Sequence, residues 1–324
     1  MSEVTHPWKS QKEGFQESLS YLKGRMEGSI KSFRTPWAKF NDATTDGIEW
    51  NSMTVIGGRP GSGKTLLKDQ IIREGFPLNP GQDFRVLEFQ FEMLARVSAI
   101  REYSSILGKS YKYLCSADRA AGKLKGDDLQ KCFEYAKERI KYPVDIIEEP
   151  CTVTDMKKII TQYMEHHKKK TVITLDHSML IKLGAAEKNQ LEMVYNLGTV
   201  LTQLKRKYPI AFIILSQLNR NVENPSRNED GTYGNYILTS DIFGGDALLQ
   251  HADTLVGLNV PAKQKIRFYG PDRYIIADET VMVMHYLKCR NGDTRMSFFK
   301  TQFEQMKVVE MPTPPVQEKR ISTK

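Results

Sequence analysis

Apolar blocks and amphipathic stretches alternate along most of this chain. The run Met53-Thr-Val-Ile56 has the pattern of a buried strand, and Leu66 to Glu74 carries helical spacing, so a strand over 53–56 and a helix over 64–74 are predicted. The pattern then repeats. A strand over 85–91 (RVLEFQF) precedes a helix over 92–107; residues 127–141 read as helix and 144–147 as a short strand. A helix over 153–168 precedes strand 171–176 (TVITLD), and a helix over 188–207 precedes strand 210–215 (IAFIIL). Further strands are expected near 254–258, 281–287 and 296–300, with no helix between them. Strands that alternate with helices predict an α/β fold with a mostly parallel twisted sheet and helices on both faces. The helix-free final run predicts C-terminal antiparallel strands. Residues 219–239 and 261–280 read as long polar loops.

The amino-terminal pattern stands apart. Phe15, Leu19, Leu22 and Met26 fall on one face of a helix expected within residues 14–32, and the other face is charged. One such helix cannot bury its own stripe, so it must dock on something. The chain thus divides into an N-terminal segment (1–47), a main domain (48–310) and a tail (311–324) expected to be disordered.

Composition narrows the setting. The 324 residues are 40% hydrophobic and 27% charged, enough for a sizeable core in a soluble protein. No window approaches the roughly 18 apolar residues of a membrane helix, and the first residues lack the apolar core of a signal peptide. No membrane partner is expected. The four cysteines, Cys115, Cys132, Cys151 and Cys289, form no C-x-x-C pair, so a reducing cytoplasm is the simplest location. A net charge of +8 permits a polyanionic partner without establishing one.

The candidate chemistry lies between the first strand and the first helix of the main domain. Gly58, Arg59, Pro60, Gly61, Ser62, Gly63, Lys64, Thr65 and Leu66 contain G-x-x-x-x-G-K-T in a strand–loop–helix context, the pattern of a phosphate-binding loop. Glycines let successive N–H groups turn inward to an anion, and the helix N-terminus adds partial positive charge. Lys64 is expected on the β- and γ-phosphates of ATP and Thr65 on Mg²⁺. Asp176 ends an apolar strand, where a carboxylate holds Mg²⁺ through water; a turn or N-cap aspartate has the same local look. Glu92 follows strand 85–91 and is the candidate general base, with Glu88 a weaker one. Gln217 follows strand 210–215 and suits a γ-phosphate contact, and the loop after it carries Arg220 and Arg227. Lys288 and Arg290 sit before a turn, where paired cations either face solvent or reach a neighbour's phosphate.

The order of these blocks resembles the C-terminal, RecA-like motor domain of the DnaB-type replicative helicases, from about Tyr21 to Val309. It rests on GGRPGSGKT, LEFQFEM with Arg101 downstream, VITLDHSMLI, FIILSQLNRNVENP, and SDIFGGDALLQHAD followed by KCRNGDT. The resemblance implies a hexameric ring that hydrolyses ATP between subunits and draws single-stranded DNA through its centre. It makes Lys64 and Thr65 the phosphate and Mg²⁺ residues, Glu92 the catalytic base, Asp176 the Walker B carboxylate and Gln217 the γ-phosphate sensor. Lys288 and Arg290 become residues supplied in trans, and the helix within 14–32 a linker that docks on the adjacent subunit.

Two features depart from the family. Its motor usually follows a helical domain that binds primase, and the chain has no room for one, as expected of a minimal motor from a phage or mobile element; a primase or loader remains a possible partner. The usual charged DNA contacts after Ser-Asp-Leu are replaced by Phe243, Gly244, Gly245 and Asp246. Backbone N–H groups at Gly244 and Gly245 then offer phosphate contacts and Phe243 a stacking surface. The alternative is a RecA-like, DNA-dependent ATPase that loads or remodels without unwinding. A nucleotide-gated scaffold fits less well, because Glu92, Gln217 and Arg290 are present together.

Overall fold

The apolar blocks form one nine-stranded sheet in the computed structural model, which describes residues 8–117, 123–185, 187–224, 227, 236–243 and 245–318. The strands, in chain order, are β1 (Ser52–Gly58), β2 (Phe84–Gln90), β3 (Val144–Ile147), β4 (Lys170–Asp176), β5 (Ile210–Gln217) and β6 (Thr254–Asn259), then a separate hairpin of β7 (Phe268–Tyr269) and β8 (Tyr274–Ile275), then β9 (Val281–Cys289), β10 (Met296–Gln302) and β11 (Lys307–Glu310). Their order across the large sheet is β11-β10-β9-β6-β1-β5-β4-β2-β3. Neighbours from β6 to β3 pair parallel, and β9, β10 and β11 extend the sheet antiparallel. The α-helices of the described residues are α1 (Gln11–Met26), α2 (Ala38–Ala43), α3 (Lys64–Leu78), α4 (Ala95–Leu107), α5 (Tyr111–Cys115), α6 (Gly126–Arg139), α7 (Val153–His167), α8 (Gln190–Lys207) and α9 (Gly245–His251).

The period of two along each strand divides the core into two layers. In β5, Ile210, Phe212 and Ile214 join α7, α8 and α9 on one face, while Ala211, Ile213 and Leu215 join α2 and α3 on the other. Because both faces are covered, β1 and most of β4 and β5 are buried along their length, and their sequences read as apolar runs rather than alternating ones. The register sets the functional edge. Gly58 lies beside Gln217, and Gln90 beside Asp176, so the carboxyl ends of β1, β2, β4 and β5 open onto one crevice.

Several boundaries differ from expectation. The first helix spans 11–26 rather than reaching into 27–32; Ser10 and Glu13 cap its start reciprocally, and the chain turns at Glu27. Its apolar stripe faces outward: Phe15, Leu19, Leu22 and Met26 are 63, 65, 61 and 82% exposed. The loop 261–280 contains the β7–β8 hairpin, whose Tyr269 joins Ile266, Val283 and Phe298 in a small third core. The tail expected to be disordered is held through residues 311–318. Ile275 N–H donates to Val316 O at 2.8 Å, and Arg273 Nε pairs with Glu318 Oε2 at 2.5 Å. Backbone pairing with the hairpin gives the polar tail a seat that its composition does not reveal; residues 319–324 lie outside the described set.

Candidate nucleotide site

The phosphate loop spans the step from β1 to α3. A Cβ at Gly58 would stand 2.2 Å from Ser62 Oγ, and Gly63 takes φ +95° just before the helix, so the tight curl needs glycine at both. Within it Lys64 Nζ donates to Gly58 O at 2.7 Å and to Arg59 O at 3.2 Å. Burial lowers the Lys64 pKa, and the Asp176 and Glu92 carboxylates work against that shift. Arg59 turns away from the loop's interior: it pairs with Glu223 at 2.7 Å and donates to Leu218 O at 3.1 Å. Its side chain therefore ties the loop to the segment that follows Gln217. Pro60, Gly61, Gly63, Lys64, Thr65 and Leu66 border a cleft of about 440 Å³ whose other walls include Glu92, Arg101, His177, Gln217, Lys263 and Phe303.

The buried polar atoms here with no hydrogen-bond partner among the described residues include Ser62 Oγ and Asp176 Oδ1, beside Ser178 Oγ and Ser216 Oγ. A buried hydroxyl in the phosphate loop and a buried carboxylate oxygen at the end of β4 are the donor and acceptor that a phosphate and a hydrated divalent cation use. The residues present thus fit both groups.

Glu92 lies just beyond β2, and its carboxylate is 3.9 Å from His177 Nε2. Gln217 Nε2 approaches the same ring nitrogen at 3.5 Å. Burial lowers the His177 pKa, against the opposing effect of Glu92 and Asp176. Sequence reading passed over His177, although its place directly after Asp176 was the available signal. Lys263 was also missed; it donates to Gly61 O at 2.8 Å from a loop 202 residues away and lies over the Phe303 ring. Glu88, the weaker base candidate, is buried and paired with Lys68 Nζ at 2.9 Å, and Lys68 also meets Asp69 at 2.7 Å. Burial presses the Lys68 ammonium toward its neutral form, but Asp69 and Glu88 outweigh it and hold its pKa above the ordinary lysine range. Glu88 therefore serves as a buried counter-charge.

Lys288 and Arg290 stand away from this cleft. Thr54 pairs with Thr254 and Thr254 with Cys289, whereas Gly58 pairs with Leu258 and Leu258 with Met284. The antiparallel course of β9 thus carries both cations to the edge of the sheet opposite the phosphate loop. Lys288 Nζ donates to Leu249 O at 2.5 Å, and Arg290, 55% exposed, lies 3.5 Å from Asp253.

The expected DNA contacts divide. Arg220 is exposed at the start of a short 3₁₀ turn. The Arg227 guanidinium is held within its own loop, gripping Asp241 with two bonds of 2.7 and 3.0 Å and donating to Tyr236 O at 2.9 Å. Phe243 is half-buried, packing against the main core while its N–H donates to Gln217 O at 2.8 Å. Gly245 begins α9, and Gly244 lies outside the described residues.

The sheet order, the loop after β1, the acid ending β4 and the glutamine ending β5 define a RecA-like phosphate-loop domain. Residues 34–307 match the DnaB-like helicase C terminal domain, and the chain belongs to that family. It is 26% identical over 258 residues to the replicative DNA helicase DnaB of Helicobacter pylori strain ATCC 700392 / 26695, covering 76% of this chain and 49% of the relative. The replicative DNA helicase DnaB of H. pylori strain J99 is 25% identical over 252 residues, covering 76% and 48%. The chain spans about half the length of these curated relatives. In fold it is similar to a DnaB-like replicative helicase solved in a study of its interactions with primase, with a TM-score of 0.74, 18% identity, 91% of this chain and 68% of the other. It is equally similar to a second solved structure, an isolated ATPase domain, with a TM-score of 0.74, 17% identity, and 91% and 98% of the two chains. Among the described residues no helix is long and apolar enough to cross a membrane.

Proposed function

We propose that the chain is an ATP-driven motor that assembles into a ring, moves along single-stranded DNA and unwinds duplex. The observation that carries this reading is the convergence of Lys64, Thr65, Glu92, Asp176 and Gln217 on one edge of the sheet while Lys288 and Arg290 occupy the other. Lys64 exchanges its bonds to Gly58 O and Arg59 O for phosphate oxygens, where its positive charge stabilises the transferring phosphoryl group. Thr65 and Asp176 would hold Mg²⁺, which when bound neutralises phosphate charge. Glu92 takes the proton of the attacking water. Gln217 meets the terminal phosphate and transmits its loss along β5, whose last residue is bonded through its carbonyl to Phe243 N–H and lies two residues before Asn219. The DNA-facing segments are thereby joined to the phosphate sensor through the backbone.

The placement of Lys288 and Arg290 supports a site completed by a second copy, since neither cation shares the cleft of its own chain. The outward stripe of α1 supplies an apolar surface for the same assembly. Among the expected DNA contacts, exposed Arg220 is the side chain available for phosphate. The test is displacement of a labelled strand from a forked duplex. Displacement with ATP and none with a non-hydrolysed analogue is expected. ATP turnover without displacement would replace the helicase reading with that of a DNA-dependent ATPase.

A further inference from the structure

His177 stands between the two polar groups that hydrolysis needs in fixed positions. The ring is 8% exposed, and its Nδ1 accepts the backbone N–H of Met179 at 3.2 Å. A ring nitrogen that accepts carries no proton, so the neutral imidazole bears its hydrogen on Nε2. That N–H faces the cleft, with Glu92 Oε2 at 3.9 Å and the Gln217 amide at 3.5 Å. Two N–H groups do not bond to each other. Turning the Gln217 amide by 180° about its last torsion brings Oε1 to the ring as acceptor and leaves the amide N–H₂ free for the phosphate. Among the described residues the Gln217 side chain has no hydrogen-bond partner besides His177, and the Glu92 carboxylate, 3.9 Å from Nε2, has none, so a small shift brings it within reach of the ring N–H. The two groups come from different strands, β2 and β5, and the ring at the end of β4 lies between them.

We propose that His177 is a positioning residue for ATP hydrolysis: its Nε2–H holds the Glu92 carboxylate and the Gln217 amide in one arrangement, so that base and phosphate sensor are set together. This rests on the ATPase reading above and adds a residue to it. The role belongs to a neutral donor fixed by the Met179 bond.

The experiment uses the full chain and two substitutions. His177→Asn keeps an oxygen where Nδ1 accepts from Met179 and has nothing at the Nε2 position. His177→Gln places an N–H near that position. Steady-state phosphate release and binding of a fluorescent ATP analogue are measured for both. His177→Asn is expected to lower kcat by about 10- to 100-fold with the KM for ATP within about threefold of wild type, since the loss falls on base positioning rather than on ground-state binding. His177→Gln is expected to recover most of the rate. In a Glu92→Gln background, His177→Asn should cause little further loss, because its effect passes through a carboxylate already removed. Wild-type kcat in His177→Asn, equal loss in both variants, a change confined to KM, or a fully additive double mutant would each overturn the proposal. Should His177→Asn not fold by circular dichroism, the ¹⁵N shifts of the wild-type ring decide: the proton on Nε2 supports the positioning role, and the proton on Nδ1 overturns it. Wild-type turnover abolished by Lys64→Ala together with an unaffected His177→Asn sinks only this role. Absence of wild-type turnover sinks the reading on which it rests.

Discussion

Lys68 and Arg227 show how far a single residue's role depends on partners distant in sequence. Lys68 follows the phosphate loop on α3 and is fully buried between Asp69 and Glu88. Lys68→Met would leave two buried carboxylates without a counter-charge, a loss of about 3–5 kcal/mol for breaking a buried pair from one side. The double variant Lys68→Met, Glu88→Leu should regain part of that stability, Asp69 remaining unpaired; urea denaturation of both variants checks it, and a double variant as weak as the single would argue against the Lys68–Glu88 pairing. Arg227 was legible only as a cation in a polar loop, because nothing in the sequence links it to Asp241, 14 residues on. Its bidentate grip predicts that Arg227→Ala lowers thermal stability and leaves the salt dependence of single-strand binding unchanged, whereas Arg220→Ala flattens that dependence by about one phosphate contact. A salt titration of both variants distinguishes them. The placement of the phosphate loop, Asp176, Glu92 and Gln217 at strand ends around one crevice was legible, because strand-end positions are written in local apolar runs. His177 and Lys263 were not, since their meaning comes from strand order and from a contact across 202 residues.

At the scale of elements, the central strands were legible because parallel strands buried on both faces are continuous apolar runs. Short elements with mixed sequences escaped: α2, the β7–β8 hairpin and the edge strand β11 acquire order from packing or pairing, and α5 from its Ser110 cap and the Tyr113–Asp128 bond, rather than from periodicity. The hairpin also sets a titration. On β9, His285 is buried and meets the Tyr269 hydroxyl at 2.7 Å, with Tyr236 stacked on its ring, and burial depresses its pKa to about 4 from an ordinary 6.5. The folded chain keeps this ring neutral while the unfolded chain takes up a proton below about pH 6.5, so the stability it contributes is complete above that pH and is lost as pH falls toward 4. Between pH 7 and pH 5 this one group should cost the native state about 2 kcal/mol. Denaturant melts at the two pH values should show a smaller difference in His285→Gln than in wild type; equal differences would mean that the ring is not the titrating group. For α1, whose stripe is exposed while its end is tied to the body by Tyr21 to Glu49 at 3.0 Å, paired substitutions Leu19→Glu and Leu22→Glu should weaken self-association without changing the monomer's fold. Light scattering after size exclusion measures this, and an unchanged oligomer would assign the stripe another role.

The whole molecule places the phosphate-loop cleft at one end of the sheet's strands and Lys288 and Arg290 at the other, an arrangement that under the proposed function would be completed by a second copy. Mixing Lys64→Ala with Arg290→Ala, each inactive alone, should therefore restore part of the activity, because some interfaces then join an intact phosphate loop to an intact Arg290. If subunit exchange is shown and activity never rises, Arg290 does not act in trans. The account as a whole depends on the cleft at the end of β1 hydrolysing ATP in response to DNA. The most direct measurement is phosphate release by the wild-type chain and by Lys64→Ala, each with and without single-stranded DNA. The account predicts wild-type turnover that rises when single-stranded DNA is added and disappears in a folded Lys64→Ala variant. Turnover unchanged by Lys64→Ala, or no wild-type turnover with DNA present, would contradict it.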